Sequence, residues 1–271
     1  MIKSTANIEN EIDKMTISIV TTTFNSGNTI ADTLESVLSQ TYKDYEYWII
    51  DGASKDNTME IVRSYKDKFQ GRLHYISEPD KGIYDAMNKG IAKCTGDIVG
   101  ILNSDDFYTS DNILEQVAAA MDDTNIDAIY GDVHYVKNEN LKKCVRYYSS
   151  KLFRHSWMRF GFMPAHPSFY CRKEVYDRYG VFNLNYKVAA DFECLLRLIY
   201  IEKIHIQYLH LDFVTMRTGG ASSSGLRSHR QIMRDHLRAL HDNKVRSCAA
   251  LLSLRYIYKI CEVTISKIRF K

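Results

Sequence analysis

Apolar and polar positions along the first half of the chain switch repeatedly between a strand-like and a helix-like period. Thr16 to Phe24 is rich in β-branched residues and predicts a strand that stops at Asn25-Ser26-Gly27-Asn28. Ile30, Leu34, Val37 and Leu38 follow at helical spacing, with Asn28 or Thr29 available as the cap. The switch recurs: Tyr45 to Ile50 predicts a strand running into Asp51, and Met59, Ile61, Val62 and Tyr65 a helix. Leu73 to Ile76 then predicts a strand, Ile83 to Ala92 a helix, and Ile98 to Leu102 a short apolar strand covered on both faces. With connections this short, the right-handed crossover rule predicts an α/β fold built on a Rossmann-like, mostly parallel sheet with flanking helices.

The pattern changes further on. A helix over Ile113 to Met121 and a strand over Ala128 to Tyr135 are followed by a hairpin partner, Leu141 to Tyr148. Residues 149 to 167 are aromatic and irregular and read as a lining segment ending in Pro164-Ala165-His166-Pro167. A short strand at Ser168 to Cys171, helices at Lys173 to Tyr179 and Ala189 to Ile201, and a strand at Ile204 to Met216 complete an α+β second half. Arg217 to Gly225 is a small-residue loop in which Gly219 and Gly220 suit a movable lid. Two helices, Leu226 to Asp242 and Ser247 to Ile268, finish the chain.

Composition narrows the class. Of 271 residues, 45% are hydrophobic and 25% charged, as in a globular protein with an ordinary core. No apolar run is long enough to span a membrane and residues 1 to 14 are too polar for a secretory signal, so the expected compartment is the cytosol. The six cysteines are scattered and form no Cys-x-x-Cys pair, which argues against a zinc site and a disulfide framework. Net charge is +3, but residues 244 to 271 carry seven Lys or Arg against the single acid Glu262. That basic end is interleaved with apolar residues. It fits a helix lying on the inner face of a membrane, and equally one packed on its own domain or on a second subunit of a homo-oligomer.

The candidate chemistry sits where strands end. In open α/β sheets ligands bind beyond the carboxyl ends of the strands, and Thr21 to Asn25, Asp51 and Asn103 to Asp106 all lie at such ends. Asp105 and Asp106 are adjacent carboxylates that hold charge most readily beside a hard divalent cation. A solvated turn fits the same residues, since Ser and Asp are ordinary turn formers. Asp51 could accept from a nucleobase N–H or ribose hydroxyls, and together the two places make a nucleotide-diphosphate site. Neither Gly-x-Gly-x-x-Gly nor a P-loop sequence is present. His166 could contact donor or acceptor or be structural, and Lys81 could sit near the phosphates or in a solvated turn.

Six segments in linear order carry a resemblance: Ser18 to Asn25, Ser39-Gln-Thr-Tyr42, Asp51-Gly-Ala-Ser-Lys-Asp-Asn-Thr58, Glu78-Pro-Asp-Lys-Gly-Ile-Tyr-Asp-Ala-Met-Asn-Lys-Gly90 with Gly96-Asp97, Asn103-Ser-Asp-Asp106, and Ala190-Asp191. Over roughly residues 15 to 220 the chain resembles family 2 glycosyltransferases with the GT-A fold. The resemblance implies Thr22 and Asp51 on the base, Phe24 against its face, Asp105 on the ribose or sugar, and Asp106 on Mg²⁺ or Mn²⁺. Ser104 stands where the usual Asp-x-Asp form has its first carboxylate, so one metal ligand is fewer. The implied reaction moves a sugar, most readily from a UDP-sugar, to an acceptor hydroxyl with inversion, and Asp191 occupies the family's base position. Read from residues alone, Asp191 is a plain helix N-terminal acid favoured by the dipole. The implied partners are a nucleotide-sugar donor and a glycan or lipid-linked acceptor in polysaccharide biosynthesis, with no nucleic acid. The expected division is a lead-in over 1–14, a transferase domain over 15–225 with a nucleotide-sugar half (15–135) and an acceptor half (136–225), and a helical extension over 226–271. A nucleotidyltransferase making nucleotide sugars and a non-catalytic nucleotide-binding module are the alternatives.

Overall fold

The computed structural model describes residues 15–219 and 225–269. The expected lead-in over 1–14 and Gly220 of the expected lid lie outside the described residues. The strands are β1 (Ile17–Thr23), β2 (Tyr45–Asp51), β3 (Leu73–Ser77), β4 (Ile98–Ile101), β5 (Phe107–Tyr108), β6 (Ala128–Lys137), β7 (Asn140–Tyr148), β8 (Tyr170–Arg172) and β9 (Ile206–Arg217). The helices are α1 (Ile30–Leu38), α2 (Thr58–Ser64), α3 (Ile83–Lys93), α4 (Ile113–Met121), α5 (Lys173–Tyr179), α6 (Ala190–Leu195), α7 (Gly225–Asp242) and α8 (Ala249–Arg269).

The strands form one sheet in the order β3-β2-β1-β4-β8-β6-β9-β5, with β7 added along β6. Strands β3, β2, β1 and β4 are parallel neighbours, and Thr23, Asp51 and Ser77 fall in one row across the carboxyl edge. Strand β8 is antiparallel to both β4 and β6, so β6 points the same way as β4. Beyond it, β6 and β9 run parallel as a long pair that ends with Val136 beside Arg217.

Two apolar layers cover the sheet. Alternation along β1 and β2 sends Ile17, Ile19 and Ile49 toward α1, α2 and α4, and Val20 and Ile50 toward α3 and α6. Helix α3 approaches β1 so closely that a Cβ on Gly90 would stand 2.3 Å from Val20 Cγ1, which explains a glycine in mid-helix.

Three elements differ from the periodicity. Strand β5 is only two residues long and pairs with β9, too short to show a period. The short strand expected from Ser168 begins at Tyr170, because His166–Ser168 forms a 3-10 turn. The helix expected over Ala189 to Ile201 is α only to Leu195 and continues as a π-helix over Leu196–Ile201. The segment expected as an extension packs onto the domain: α7 lies against α6, and α8 against β7 and a 3-10 turn at His155–Phe160. Arg255 of α8 turns inward to His236, and Glu262 pairs with Arg146 of β7, while Leu254, Ile257 and Ile260 are exposed. No helix among the described residues is long and apolar enough to cross a membrane.

Candidate active site

Three loops meet at the carboxyl edge of β1, β2 and β4. The β1 turn is held to the β2 turn by Asn25 N–H on Ser54 Oγ (2.8 Å), Ser26 N–H on Thr58 Oγ1 (2.8 Å) and Gly27 N–H on Asp56 Oδ2 (2.9 Å). Asn25 and Ala53 adopt positive φ, at 52° and 63°, which folds both loops back over the edge. Ser26 and Ser104 share a hydroxyl contact of 2.8 Å that ties in the β4 turn.

Asp51 is fully buried. Its carboxylate accepts from Ser54 N–H (3.1 Å), from the Ser54 hydroxyl, and from Ser77 Oγ (2.6 Å) on the neighbouring strand. Such a carboxylate has its buried oxygens satisfied in place. Beside it, Thr22 and Thr23 carry buried hydroxyls with no hydrogen-bond partner within the protein, which leaves them available to a ligand. Phe24 is 61% exposed, and its ring edge and the Asp80 carboxylate both crowd the position a Cβ on Gly52 would take. The outcome is a narrow slot with one exposed aromatic face and a buried carboxylate at its base. Lys81 is exposed just before α3, where its backbone N–H donates to Asp85 Oδ2 (3.0 Å).

The β4 turn places Asp106 inside and Asp105 half-buried. Asn103 Nδ2 donates to Asp106 Oδ2 (3.0 Å), Arg217 N–H to Asp106 Oδ1 (3.3 Å), and Thr33 of α1 to the Asp106 carbonyl (2.7 Å). Burial, reinforced by the Asp105 charge, pushes Asp106 from 3.8 up to about 8, and burial also raises Asp105. Arg217, at the end of β9, is buried; its guanidinium donates to the Asp105 carbonyl (2.6 Å), pairs with the Asp32 carboxylate and lies 5.2 Å over the Phe107 ring.

Among the described residues no three His, Cys, Asp or Glu groups gather as a metal set. The oxygens of this turn nevertheless fit a hard divalent ion. Asn103 Oδ1 is buried with no hydrogen-bond partner, and it stands with two carboxylates whose mutual repulsion a cation relieves. A diphosphate and water would have to supply the remaining ligands.

A second group lies at the head of α3 and α6. Asp191 is half-buried in the first turn of α6, and its Oδ1 accepts from Tyr84 Oη (3.1 Å) and from Phe192 N–H (2.8 Å). Tyr84 belongs to the first turn of α3, which leaves the same sheet edge after β3. Burial and the Asp191 charge hold its phenol well above the ordinary value. His166 packs edge-on to Phe182 at 5.5 Å, and Phe182 also contacts Tyr84 at 5.6 Å. Burial keeps His166 below its ordinary pKa against the opposing pull of Asp191, so the imidazole is neutral near pH 7.

The structure thus joins Thr22, Phe24 and Asp51 in one slot, Asp105 and Asp106 in the next turn, and His166 and Asp191 in a third group. Sequence reasoning missed Ser77, Arg217, Asp32 and Tyr84. Tyr84 stood within a motif that carries the resemblance, whereas the others have no local signal.

The chain as a whole is similar to known proteins. A model of Glycosyl transferase family 2 matches residues 18–180. A PGL/p-HBAD biosynthesis glycosyltransferase of Mycobacterium bovis (strain BCG / Pasteur 1173P2) is 26% identical over 208 residues, covering 76% of this chain and 78% of the relative. S. aureus TarS 1-349 in complex with UDP-GlcNAc has the same fold at 19% identity and a TM-score of 0.65, with 88% of this chain and 71% of that chain covered. The mannosyltransferase PcManGT from Pyrobaculum calidifontis, in complex with GDP-Man and Mn2+, gives a TM-score of 0.65 at 16% identity over 92% of this chain and 73% of that one. A further S. aureus TarS chain is spanned over only 40% of its length. With the GT-A sheet in place and the family model covering more than half the sequence, the chain belongs to glycosyl transferase family 2.

Proposed function

We propose that this glycosyltransferase moves a sugar from a nucleoside diphosphate donor, a UDP-sugar, to an acceptor hydroxyl with inversion at the anomeric carbon. The observation that carries the reading is the row of polar groups along one sheet edge, from the buried Asp51 to the Asp105-Asp106 turn, with Asp191 held at the head of α3 beside it. Asp51 accepts from the base N–H while the free hydroxyls of Thr22 and Thr23 find partners on the nucleoside, and the exposed Phe24 ring lies against the base. Asp105 reaches the ribose or sugar, and Lys81, exposed beyond β3, contacts the diphosphate. Asp106, with Asn103 Oδ1, holds Mg²⁺ or Mn²⁺. The ion, when bound, neutralises charge developing on the leaving diphosphate.

On the opposite face of the sugar, Asp191 takes the proton of the acceptor hydroxyl as its oxygen attacks the anomeric carbon, and the bond to the diphosphate oxygen breaks with the electron pair leaving on the diphosphate. Neutral His166, beside Asp191, offers a hydrogen bond to donor or acceptor without adding a competing charge. The acceptor is a glycan or lipid-linked sugar of surface polysaccharide assembly, a reading supported by the relative named for PGL/p-HBAD biosynthesis.

Calorimetric titration with UDP, with and without Mn²⁺, tests the donor half, and hydrolysis of a panel of UDP- and GDP-sugars tests the donor identity. We expect Mn²⁺ to tighten UDP binding to the wild type and to leave Asp106→Asn unaffected; equal affinities in all four titrations would remove the metal from the mechanism.

A further inference from the structure

Val188, three residues ahead of Asp191, has both polar groups of its backbone engaged, each by a side chain from a different helix, the half-buried Tyr84 and the buried Asp235. Its carbonyl accepts from Tyr84 Oη of α3 at 2.7 Å, and its N–H donates to Asp235 Oδ2 of α7 at 3.1 Å. Asp235 is 5% exposed, and its other oxygen accepts from Gln231 Nε2 at 2.8 Å. Two more contacts hold the same segment to α7: Tyr186 Oη donates to Asp242 Oδ2 at 2.7 Å, and the Phe192 ring lies flat on His236 at 3.8 Å with 5° between planes. Burial and the Arg255 charge hold His236 well below its ordinary pKa. The N-cap of α6, Ala189, supplies no side-chain bond of its own, so the entry to this helix is fixed from outside.

We propose that Tyr84 and Asp235 are positioning residues that clamp the Val188 peptide and so fix where the Asp191 carboxylate faces the acceptor hydroxyl. The proposal rests on the reading of Asp191 as the base. A buried carboxylate is a costly means of holding one peptide N–H, because its desolvation exceeds what a neutral acceptor would incur. Tyr84 touches both ends of the segment: its one hydroxyl proton is shared between the Val188 carbonyl at 2.7 Å and Asp191 Oδ1 at 3.1 Å. The clamp also makes α7, which follows the transferase domain in sequence, part of the catalytic unit. Displacing a base by about 1 Å lowers turnover on the order of 10²-fold, so small losses of the clamp are measurable.

Three readouts on the full chain test it. In hydrogen exchange, Asp235→Ala accelerates the Val188 amide at least about tenfold while amides of β1, β2 and β4 stay unchanged, and Asp235→Asn, whose amide oxygen still accepts, restores protection. In the NMR titration of His166, Asp191→Asn lowers the imidazole pKa; Tyr84→Phe and Asp235→Ala reproduce part of that fall, and Tyr84→Phe adds nothing on the Asp191→Asn background. In donor turnover, measured as UDP-GlcNAc hydrolysis, both clamp variants fall roughly 10- to 100-fold with UDP affinity unchanged. Faster exchange at Val188 with an unmoved His166 titration would make the contacts merely structural and overturn the proposal. Undiminished hydrolysis in Asp191→Asn would strike the base assignment instead, and the exchange and titration data would still decide the clamp.

Discussion

Asp51 and Asp191 lie at the same end of the sheet, yet they are held by contacts of very different range. Two of the three donors to Asp51 come from Ser54, three residues along the chain, and the third from the adjacent strand. Asp191 has one local donor, Phe192 N–H, but otherwise depends on Tyr84, 107 positions away, and its approach segment on Asp235 of α7. The proposed donor slot is therefore a product of local turns on a parallel sheet. The proposed base corner is a product of helix packing, and its geometry is only as firm as the contacts among α3, α6 and α7.

The contrast is broken most severely by removing the proposed base. Asp191→Asn keeps size and one acceptor oxygen, so we expect the fold and the UDP affinity to persist while sugar transfer or donor hydrolysis falls roughly 10²–10⁴-fold. Loss of UDP binding in that variant would show that the two regions are not separable.

Asp106→Asn is expected to lower turnover on the order of 10²-fold and to abolish the response of UDP binding to Mn²⁺. It should also act on stability in the opposite direction. Because the folded-state pKa of Asp106 is raised from 3.8 to about 8, the folded protein holds a proton that the unfolded chain has released. The metal-free wild type therefore loses stability as pH rises from about 4 through about 8, and a divalent ion offsets that loss. A thermal melt of Asp106→Asn without metal should decline less over the same pH window. A decline as steep as that of the wild type would mean that Asp106 does not carry the burden.

How much of this was legible in sequence follows the same divide. The strand–helix alternation through Ile101 and the carboxylates at strand ends were readable, because a buried parallel strand is an apolar run and its end is a polar stop. Thr22, Phe24, Asp51, Asp105 and Asp106 followed from that edge and from the family likeness. Arg217 was not readable: it meets Asp106 across 111 positions through a β9 pairing that no local period encodes. Tyr84 looked like one more apolar position of α3, since a phenol that packs on Phe182 and also bonds Asp191 leaves the same hydrophobic mark as one that only packs. For α8 the sequence left packing on the domain and an outward role open, because a basic stretch interleaved with apolar residues suits either; in the fold Arg255 faces His236 and Glu262 faces Arg146.

A substitution outside both regions calibrates these effects. Gly90→Ala places a Cβ against Val20 and within 3.2 Å of Ile50 in a packed layer, so α3 must shift or the valine must leave its rotamer. We expect a loss of about 1–3 kcal/mol in stability by chemical denaturation. A shift of α3 would carry Tyr84 with it. Activity per folded molecule that stays within about twofold therefore assigns the strain to Val20, whereas a larger fall shows that the base corner feels the seating of α3 on β1.

The smallest expected effect tests the redundancy claimed for the donor slot. Ser77→Ala removes one donor from Asp51 and leaves the two from Ser54 in place. The loss of one hydrogen bond to a carboxylate costs about 1–3 kcal/mol when nothing replaces it. Ser77 itself is exposed, however, and water can reach the vacated position, which moves the cost toward the lower end. A fall in Tm of roughly 2–4 °C is the expected outcome, with UDP affinity changed less than about threefold. The matching deletion on the other side, Tyr84→Phe, removes a single hydroxyl of the same kind, but that hydroxyl serves both Val188 and Asp191. If Ser77→Ala reduced UDP binding as sharply as Tyr84→Phe reduces turnover, the donor slot would be no more redundant than the base corner. The contrast in range would then be one of sequence distance alone, without consequence for function.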